Sequence, residues 1–174
     1  MLKKDKAMIE KVAKNTSISK YLRGESYTKK QFIVDEWHAV TDTIRIFATK
    51  EDPGYEVYPM DLAWLMEYNP EDLIPVEVDI EDVKAYSKGW TRYDKPYFIE
   101  ADGYYVAMNP KYLLDQLRFT RSTTIYINID REKLREIPAG YKVISPVFSF
   151  GTDKMALTCP VNFDGYSIKR RCAA

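Results

Sequence analysis

The sequence predicts a mixed α+β domain built from two βαβββ repeats, and three observations lead to this prediction. The chain has 174 residues, of which 45% are apolar and 30% charged, as expected for one compact domain with a real core. Two stretches of equal length, 55–80 and 104–129, align without a gap. In each stretch a short strand leads into residues with helical spacing and then into a strictly alternating strand.

Residues 1–50 are expected to form an N-terminal extension that contains a helix plus strands. Apolar residues at helical spacing predict a helix over 3–23. Two short runs rich in β-branched and aromatic residues predict strands over 31–34 and 43–48. An Asp-Pro-Gly turn at 52–54 then separates the extension from the repeats.

The two repeats, about 55–101 and 104–163, together form a predicted domain over 51–163, and a basic C-terminal tail follows over 164–174. The first repeat is predicted to have a helix at 60–69 and strands at 74–80, 83–90 and 96–101. The second is predicted to have a helix at 110–119 and strands at 104–108, 123–129, 141–150 and 154–161, with a loop or short exposed helix at 130–140. Leu65 and Leu114 are expected at equivalent buried positions on two adjacent helices, because neither helix can bury its apolar stripe alone.

The formal net charge of zero hides an uneven distribution of charge along the chain. Residues 1–50 carry 11 Lys/Arg and 6 Asp/Glu, and residues 84–174 carry 15 and 9. Residues 51–83, which we call the acidic segment, carry 11 Asp/Glu and not one Lys or Arg. Such a segment creates a negative local field that repels phosphate and attracts basic surfaces.

The residue types restrict the chemistry that is available. Two cysteines and one histidine exclude a disulfide framework and any site that needs two imidazoles, and no metal or cofactor is expected. One alternative is a metal-dependent hydrolase at Asp35 and His38, with Asp42 nearby. Because no nucleophile motif or glycine-rich phosphate loop accompanies them, a non-catalytic protein is favoured. No apolar run approaches the ~18 residues of a membrane span, so a cytoplasmic protein without a membrane partner is expected.

Several motifs in the second repeat resemble those of a known family. Residues 104–119 contain an N-x-x-Y-L-x-D-x-L helix, formed by Asn109, Tyr112, Leu113, Asp115 and Leu117. Ser-Pro-Val at 145–147 and the run at 155–162 resemble the family's later strands, the last of which closes with a proline motif. On these residues, 55–163 and most strongly 104–163 resemble one domain of the bacterial DNA sliding clamp, the beta subunit of DNA polymerase III.

The resemblance implies a clamp-like, non-catalytic fold with two kinds of contact. DNA would be contacted from the second helix, at Lys111, Arg118 and Arg121. Partner peptides would dock beside the closing motif, at Cys159, Pro160, Val161 and Asn162, although strong docking requires 1–50 to replace the missing neighbouring domain. The chain has room for one of the three domains of a clamp subunit, and its first predicted helix lacks Lys and Arg. A six-copy ring on DNA is therefore disfavoured.

The leading functional hypothesis is an interaction protein that uses an acidic, aromatic surface. Fourteen tyrosines and three tryptophans supply contact area, and many of them lie in or beside the acidic segment. The protein would be encoded by a phage or mobile element and would inhibit a DNA-handling partner with a basic surface, such as a Cas nuclease or a replication protein, as an anti-CRISPR inhibitor or nucleic-acid mimic does. The expected contacts are Glu56, Asp61, Glu67, Tyr68, Glu71, Asp72, Glu77 and Asp79, of which Glu77 and Asp79 should share one strand face. The alternative is a replication accessory factor that binds duplex DNA through Lys111, Arg118, Arg121 and the basic N-terminal arm.

Overall fold

The structure is a computed structural model that describes residues 1–14, 29–59, 61–91 and 95–163. Its α-helices are α1 (Lys3–Ala13), α2 (Ile80–Gly89) and α3 (Pro110–Thr120). Its strands are β1 (Lys30–Val34), β2 (Trp37–Thr41), β3 (Arg45–Thr49), β4 (Glu56–Val57), β5 (Leu73–Glu77), β6 (Tyr97–Ala101), β7 (Tyr104–Met108), β8 (Thr124–Asn128), β9 (Arg135–Ile137), β10 (Gly140–Lys142), β11 (Val147–Phe150) and β12 (Lys154–Thr158). None of the helices in these ranges is long and apolar enough to cross a membrane.

The strands form two sheets that place the beginning and the end of the chain side by side. The larger sheet has the order β4-β1-β2-β3-β12-β11-β8-β5, and the smaller one has the order β6-β7-β10-β9. At the centre of the larger sheet β3 pairs with β12 in antiparallel register, with Phe47 opposite Ala156. The strands of the N-terminal extension therefore continue the same sheet as the strands of the second repeat.

The two hairpins that meet at this junction repeat each other. In the β2–β3 hairpin, Ala39 lies opposite Ala48. In the β11–β12 hairpin, Phe148 lies opposite Leu157. Phe148 comes 109 positions after Ala39, and Leu157 comes 109 positions after Ala48. A helix precedes each hairpin, α1 in the first case and α3 in the second. The larger sheet therefore has a local twofold pseudo-symmetry about the β3–β12 pairing.

The two faces of the larger sheet are covered by different parts of the chain, because side chains alternate between faces along each strand. On one face α1 and α3 pack against Phe47 and Ala156 and bury Phe119. On the other face Ile46 and Leu157 pack against a crossing segment that contributes Tyr58, Leu62 and Met66. The middle of the acidic segment thus crosses from β4 at one edge to β5 at the other, on the face opposite α1 and α3, and its last residues begin α2.

A separate core fills the space between the helices and the smaller sheet. Val83 of α2 and Leu113 and Leu117 of α3 are completely buried there, together with Val106 of β7 and Ile125 of β8. This packing places α2 beside α3. A pair of adjacent helices against sheets, as the sequence predicts, is therefore present.

Most predicted elements of the second repeat and the N-terminal extension are confirmed. The α+β class is confirmed, as are the helix at 110–119 and the strands at 31–34, 43–48, 74–80, 96–101, 104–108, 123–129 and 154–161, with shifts of a few residues at their ends. The helix predicted over 3–23 is confirmed for Lys3–Ala13, and 15–23 lies outside the described residues, as does the tail 164–174.

The predicted helix at 60–69 is wrong. Ala63–Met66 forms only a short 3₁₀ turn, and Pro70–Asp72 forms a second one. Leu62 and Met66 both point into the larger sheet, so their four-residue spacing reflects a segment lying flat on a sheet rather than an α-helix. Leu65 therefore lies on the opposite sheet face from α3, and it is not equivalent to the buried Leu114.

The predicted strand at 83–90 is also wrong, because α2 occupies this segment. The carboxylate of Asp79 accepts hydrogen bonds from the backbone N–H groups of Glu81 at 2.9 Å and Asp82 at 3.3 Å, which caps the first turn of α2. Asp79 consequently does not share a strand face with Glu77, where β5 ends. The two adjacent helices are α2 and α3, and the alignment of the first repeat fails in its helix.

Three smaller differences concern strands. The segment predicted as one strand at 141–150 is divided between β10 and β11, which belong to different sheets. Pro146 lies between them, and its missing N–H cannot join a sheet ladder. The insert at 130–140 contains β9, and β2 lies in a segment for which no strand is predicted.

Candidate functional site

The helices on one face of the larger sheet expose many basic side chains. Eight exposed cations belong to α1, α3 and the residues that end them: Lys3, Lys4, Lys6, Lys11, Lys14, Lys111, Arg118 and Arg121. We call this group the helix face. The same residues include only three acids, Asp5, Glu10 and Asp115, and two of these are buried. The helix face therefore carries a strong positive charge.

Two ion pairs hold α1 beside α3. Lys11 Nζ donates to Asp115 Oδ2 at 2.6 Å, and Arg121 Nη2 donates to Asp5 Oδ2 at 2.9 Å. Asp5 is 2% exposed and also accepts from Lys154 Nζ of β12 at 2.6 Å. Each buried acid of the two helices is thus neutralised by cations from a different element, which fixes the spacing of the helix face.

A buried arginine anchors α3 to the sheet beneath it. Arg45 of β3 is 2% exposed, and its Nε and Nη2 donate to Asp42 Oδ2 at 2.9 and 2.7 Å. Its Nη1 donates to Asp115 Oδ2 at 3.0 Å, and its guanidinium lies 4.0 Å from the centre of the Tyr112 ring. Arg45 and Lys154 occupy equivalent positions of the two hairpins, and each contacts the helix that precedes the other hairpin.

Five cations of the helix face have no carboxylate partner among the residues that the structure describes. They are Lys3, Lys4, Lys6, Lys111 and Arg118. The ammonium of Lys111 lies 5.8 Å from the ring centre of Trp90, a cation–π contact that does not neutralise its charge. Exposed cations on adjacent helices attract polyanions, because no existing ion pair has to be broken when a phosphate binds to them.

The acidic residues predicted to bind a partner are spread across the opposite face. Glu56 lies on β4 at one sheet edge, and Glu77 lies on β5 at the other. Glu67, Tyr68 and Asp72 come together, since they line an open cleft of about 540 Å³ with Asn69, Asn128, Asp130, Arg131 and Glu132. Asp61 and Glu71 lie on the crossing between the edges, outside that cleft, and Asp79 caps α2.

Contacts within the fold already occupy some of these acids. Thr124 and Thr123 donate hydroxyl hydrogen bonds to the Glu77 carboxylate and hold its pKa below the usual value. Asp61 accepts from the backbone N–H of Ala63 at 2.9 Å. Between Asp61 and Glu67, Trp64 is 63% exposed. The middle of the crossing is thus an exposed indole flanked by carboxylates.

The closing motif that resembles the clamp peptide pocket lies beside β7 and the residue that precedes β3, where the N–H of Val161 donates to the carbonyl of Ala107 at 2.8 Å. Pro160, Val161 and Asn162 line a cavity of about 250 Å³ with Arg135, Lys142 and Ile144. The N–H of Cys159 donates to the carbonyl of Ile44 at 2.8 Å, so the extension 1–50 contacts this motif directly. Burial, and then the nearby Asp42 charge, raise the pKa of the Cys159 thiol, which favours an inert thiol. Peptide binding at this pocket stays a prediction.

The residues of the hydrolase alternative do not come together. His38 Nδ1 lies 3.0 Å from Gln31 Oε1 and 3.8 Å from Asp52 Oδ1. Asp35 lies in the turn between β1 and β2, and Asp42 is bound to Arg45 beyond the other end of β2. In the described ranges no three His, Cys, Asp or Glu residues are close enough to hold a metal ion.

Sequence reasoning identified the cations of α3 individually, whereas it named the neighbouring cations of α1 only collectively, as part of a basic N-terminal arm. The available signal was the spacing of Lys3, Lys11 and Lys14, which places them on one side of a helix whose opposite side is apolar. Nothing local in the sequence indicates that this helix lies beside α3. Arg45 was also missed, because an arginine within an alternating strand is typical of a solvent-exposed position.

Comparisons with known proteins identify the fold. No protein-family model and no curated protein matches this sequence. Among solved structures, a candidate DNA polymerase III beta subunit from Eubacterium rectale is similar, with a TM-score of 0.56 and 13% identity over 92% of this chain. The DNA polymerase beta subunit of Streptococcus pyogenes is similar with a TM-score of 0.52 and 10% identity, also over 92%. The chain spans 64% of the length of each. The chain therefore has a fold like that of part of the DNA polymerase III beta subunit, the bacterial sliding clamp.

Proposed function

We propose that this protein binds the phosphate backbone of duplex DNA through the helix face. The observation that carries the proposal is the set of five exposed cations on α1 and α3 that form no ion pair within the part of the chain that the structure describes. The clamp-like fold supports it, since the similar solved structures are named as DNA polymerase subunits. The protein would act as a non-catalytic accessory factor in DNA replication.

The chemistry of the helix face favours backbone contacts to a duplex. Its exposed positions are mostly lysines and arginines, which neutralise phosphates without reading base edges. Binding to single strands uses exposed aromatic rings on which bases stack. The exposed rings of Trp64 and Tyr68 lie instead with the acidic segment on the opposite face. We therefore expect binding that is independent of base sequence and stronger for duplexes than for single strands.

Duplex affinity is expected to fall steeply as the salt concentration rises. Five phosphate contacts give a slope of about −4.5 for the logarithm of the association constant against the logarithm of the salt concentration. The affinity should therefore drop several-hundred-fold between roughly 50 and 200 mM salt. Fluorescence anisotropy of a labelled duplex, repeated at several salt concentrations, measures this slope.

Paired charge reversals locate the contact. The double variant Lys111→Glu/Arg118→Glu should weaken duplex binding by roughly 100-fold at low salt, because two phosphate contacts become repulsive. The control Arg131→Glu/Lys133→Glu changes the net charge equally on an exposed turn away from the helix face, and it should weaken binding by less than about threefold. Equal losses in both variants, or no duplex binding of the wild-type protein at about 50 mM salt, would refute the proposal.

A second candidate function belongs to the acidic segment. The exposed Trp64, which lies three residues from Asp61 and from Glu67 in the sequence, is the observation that favours it, because an exposed aromatic anchor suits a protein interface. In this function the segment mimics nucleic acid, occupies the basic groove of a DNA-handling protein and inhibits it, as an anti-CRISPR-type inhibitor of phage origin would. The partner would be a Cas nuclease or a replication protein.

Reversing the charge of acidic residues in the acidic segment tests whether the segment binds a partner or is only a solvated surface. The triple variant Asp61→Lys/Glu67→Lys/Glu71→Lys should abolish binding to such a basic partner, and its free energy of unfolding should change by less than about 1 kcal/mol. Biolayer interferometry should also show that the wild-type association rate falls with salt. If the triple variant binds the partner as tightly as the wild type does, the acidic segment is not the binding surface.

A further inference from the structure

Two surfaces on opposite faces of the larger sheet carry opposite charge. The helix face presents eight Lys/Arg, whereas the crossing between β4 and β5 on the other face carries Asp61, Glu67, Glu71 and Asp72 and no Lys or Arg. The formal net charge of the whole chain is nevertheless zero. The molecule therefore has two charged surfaces of opposite sign that complement each other.

One molecule cannot bring these surfaces together. The sheet stands between them, since α1 and α3 pack on Phe47 and Ala156 whereas Leu62 and Met66 pack on the reverse side. The cations of the helix face can therefore meet the four carboxylates of this crossing only between two molecules. A protein whose net charge is near zero also lacks the overall repulsion that would keep its copies apart.

We propose that a second copy of this chain docks the crossing between its β4 and β5 on the helix face. The contact is head-to-tail, because it joins two different surfaces, and each added copy leaves one surface of each kind free. Trp64 supplies an apolar anchor on the acidic side, and Leu2, 55% exposed at the start of α1, supplies an apolar contact on the other. Carboxylates and phosphates then compete for the same cations, so duplex DNA displaces the second copy; this last step rests on the proposed function.

Analytical ultracentrifugation of the full chain tests the association. At roughly 50 mM salt the mean mass should rise with protein concentration, and at roughly 500 mM salt it should return to that of the monomer, because salt screens charges on exposed surfaces. A monomer at every concentration in low salt would overturn the inference. A mean mass that is independent of salt would also overturn it, since the contact would then not be electrostatic.

Charge swapping identifies the surfaces. The variant Asp61→Lys/Glu67→Lys should be monomeric at low salt, and so should Lys111→Glu/Arg118→Glu, since each has lost one sign of charge. When the two variants are mixed in equal amounts, they should associate, because every reversed surface then meets an opposite one. If either variant alone associates like the wild type, or if the mixture stays monomeric, the proposed pairing of surfaces is wrong.

Addition of a short duplex to the wild-type protein distinguishes this inference from the proposed function. Loss of self-association in proportion to bound duplex supports both. Self-association that persists without duplex binding leaves the inference standing and refutes the proposed function. Duplex binding by a protein that is monomeric in low salt refutes the inference alone.

Discussion

Replacement of Arg45 by methionine is expected to lower the free energy of unfolding by about 3–5 kcal/mol. Arg45 donates to the carboxylates of Asp42 and Asp115, and its removal leaves Asp42 as a buried charge without this partner. Lys11 still contacts Asp115, so the larger part of the cost comes from Asp42. Equilibrium unfolding in urea, followed by circular dichroism, measures the difference.

A matched control uses an exposed ion pair of the same sheet. Lys50→Met removes the pair between Lys50 and Glu36, whose side chains are both substantially exposed, and should cost less than about 1 kcal/mol. Asp42→Asn in the Arg45→Met background should recover part of the stability, because it removes the buried negative charge that Arg45 no longer balances. Equal costs for Arg45→Met and Lys50→Met would contradict the role of Arg45 as an anchor.

Phe119→Ala is expected to destabilise the protein by about 3–5 kcal/mol. The Phe119 ring is 0% exposed and lies parallel to the Phe47 ring, with centroids 4.6 Å apart. It fills the space between α1, α3 and the β3–β12 junction, so alanine leaves a cavity where these elements meet. Thermal and urea unfolding report the loss directly.

The control for this truncation is an aromatic residue that is largely exposed. Tyr141→Ala removes a ring that is 49% exposed on β10 and should cost no more than about 1 kcal/mol. If Phe119→Ala cost as little as Tyr141→Ala, then α1 and α3 would not share a packed core. The helix face would then lack the fixed spacing on which the proposed DNA contact depends.

The elements that could be predicted from sequence are those with signals within a few residues. α3 begins at Pro110, after Asn109, whose side chain accepts from the backbone N–H of Lys111 at 3.0 Å, and both residue types are typical helix starters. The alternation in β8 likewise predicts a half-buried strand. The helix prediction for 60–69 failed because apolar residues four positions apart occur both in an α-helix and in a 3₁₀ segment that lies on a sheet.

The candidate site depends on contacts that local patterns do not contain. Lys11 and Asp115 are separated by 104 residues and Arg121 and Asp5 by 116, and these pairs bring α1 to α3. The charge of each helix could be predicted from the sequence, but the arrangement of α1 and α3 into one helix face could not. In the same way, the acidic segment is continuous in the sequence, whereas its carboxylates reach from one sheet edge to the other.

The pairing of β3 with β12 has a consequence for solubility. β12 presents Met155, Ala156 and Leu157, an apolar strand whose second edge would be open if β3 were absent. Open apolar edges recruit strands from other molecules and start aggregation, and natural proteins cover or charge them. The N-terminal hairpin acts as such a cover. Because β3 and β12 are more than 100 residues apart in the chain, this edge of β12 stays uncovered during folding until their long-range pairing has formed.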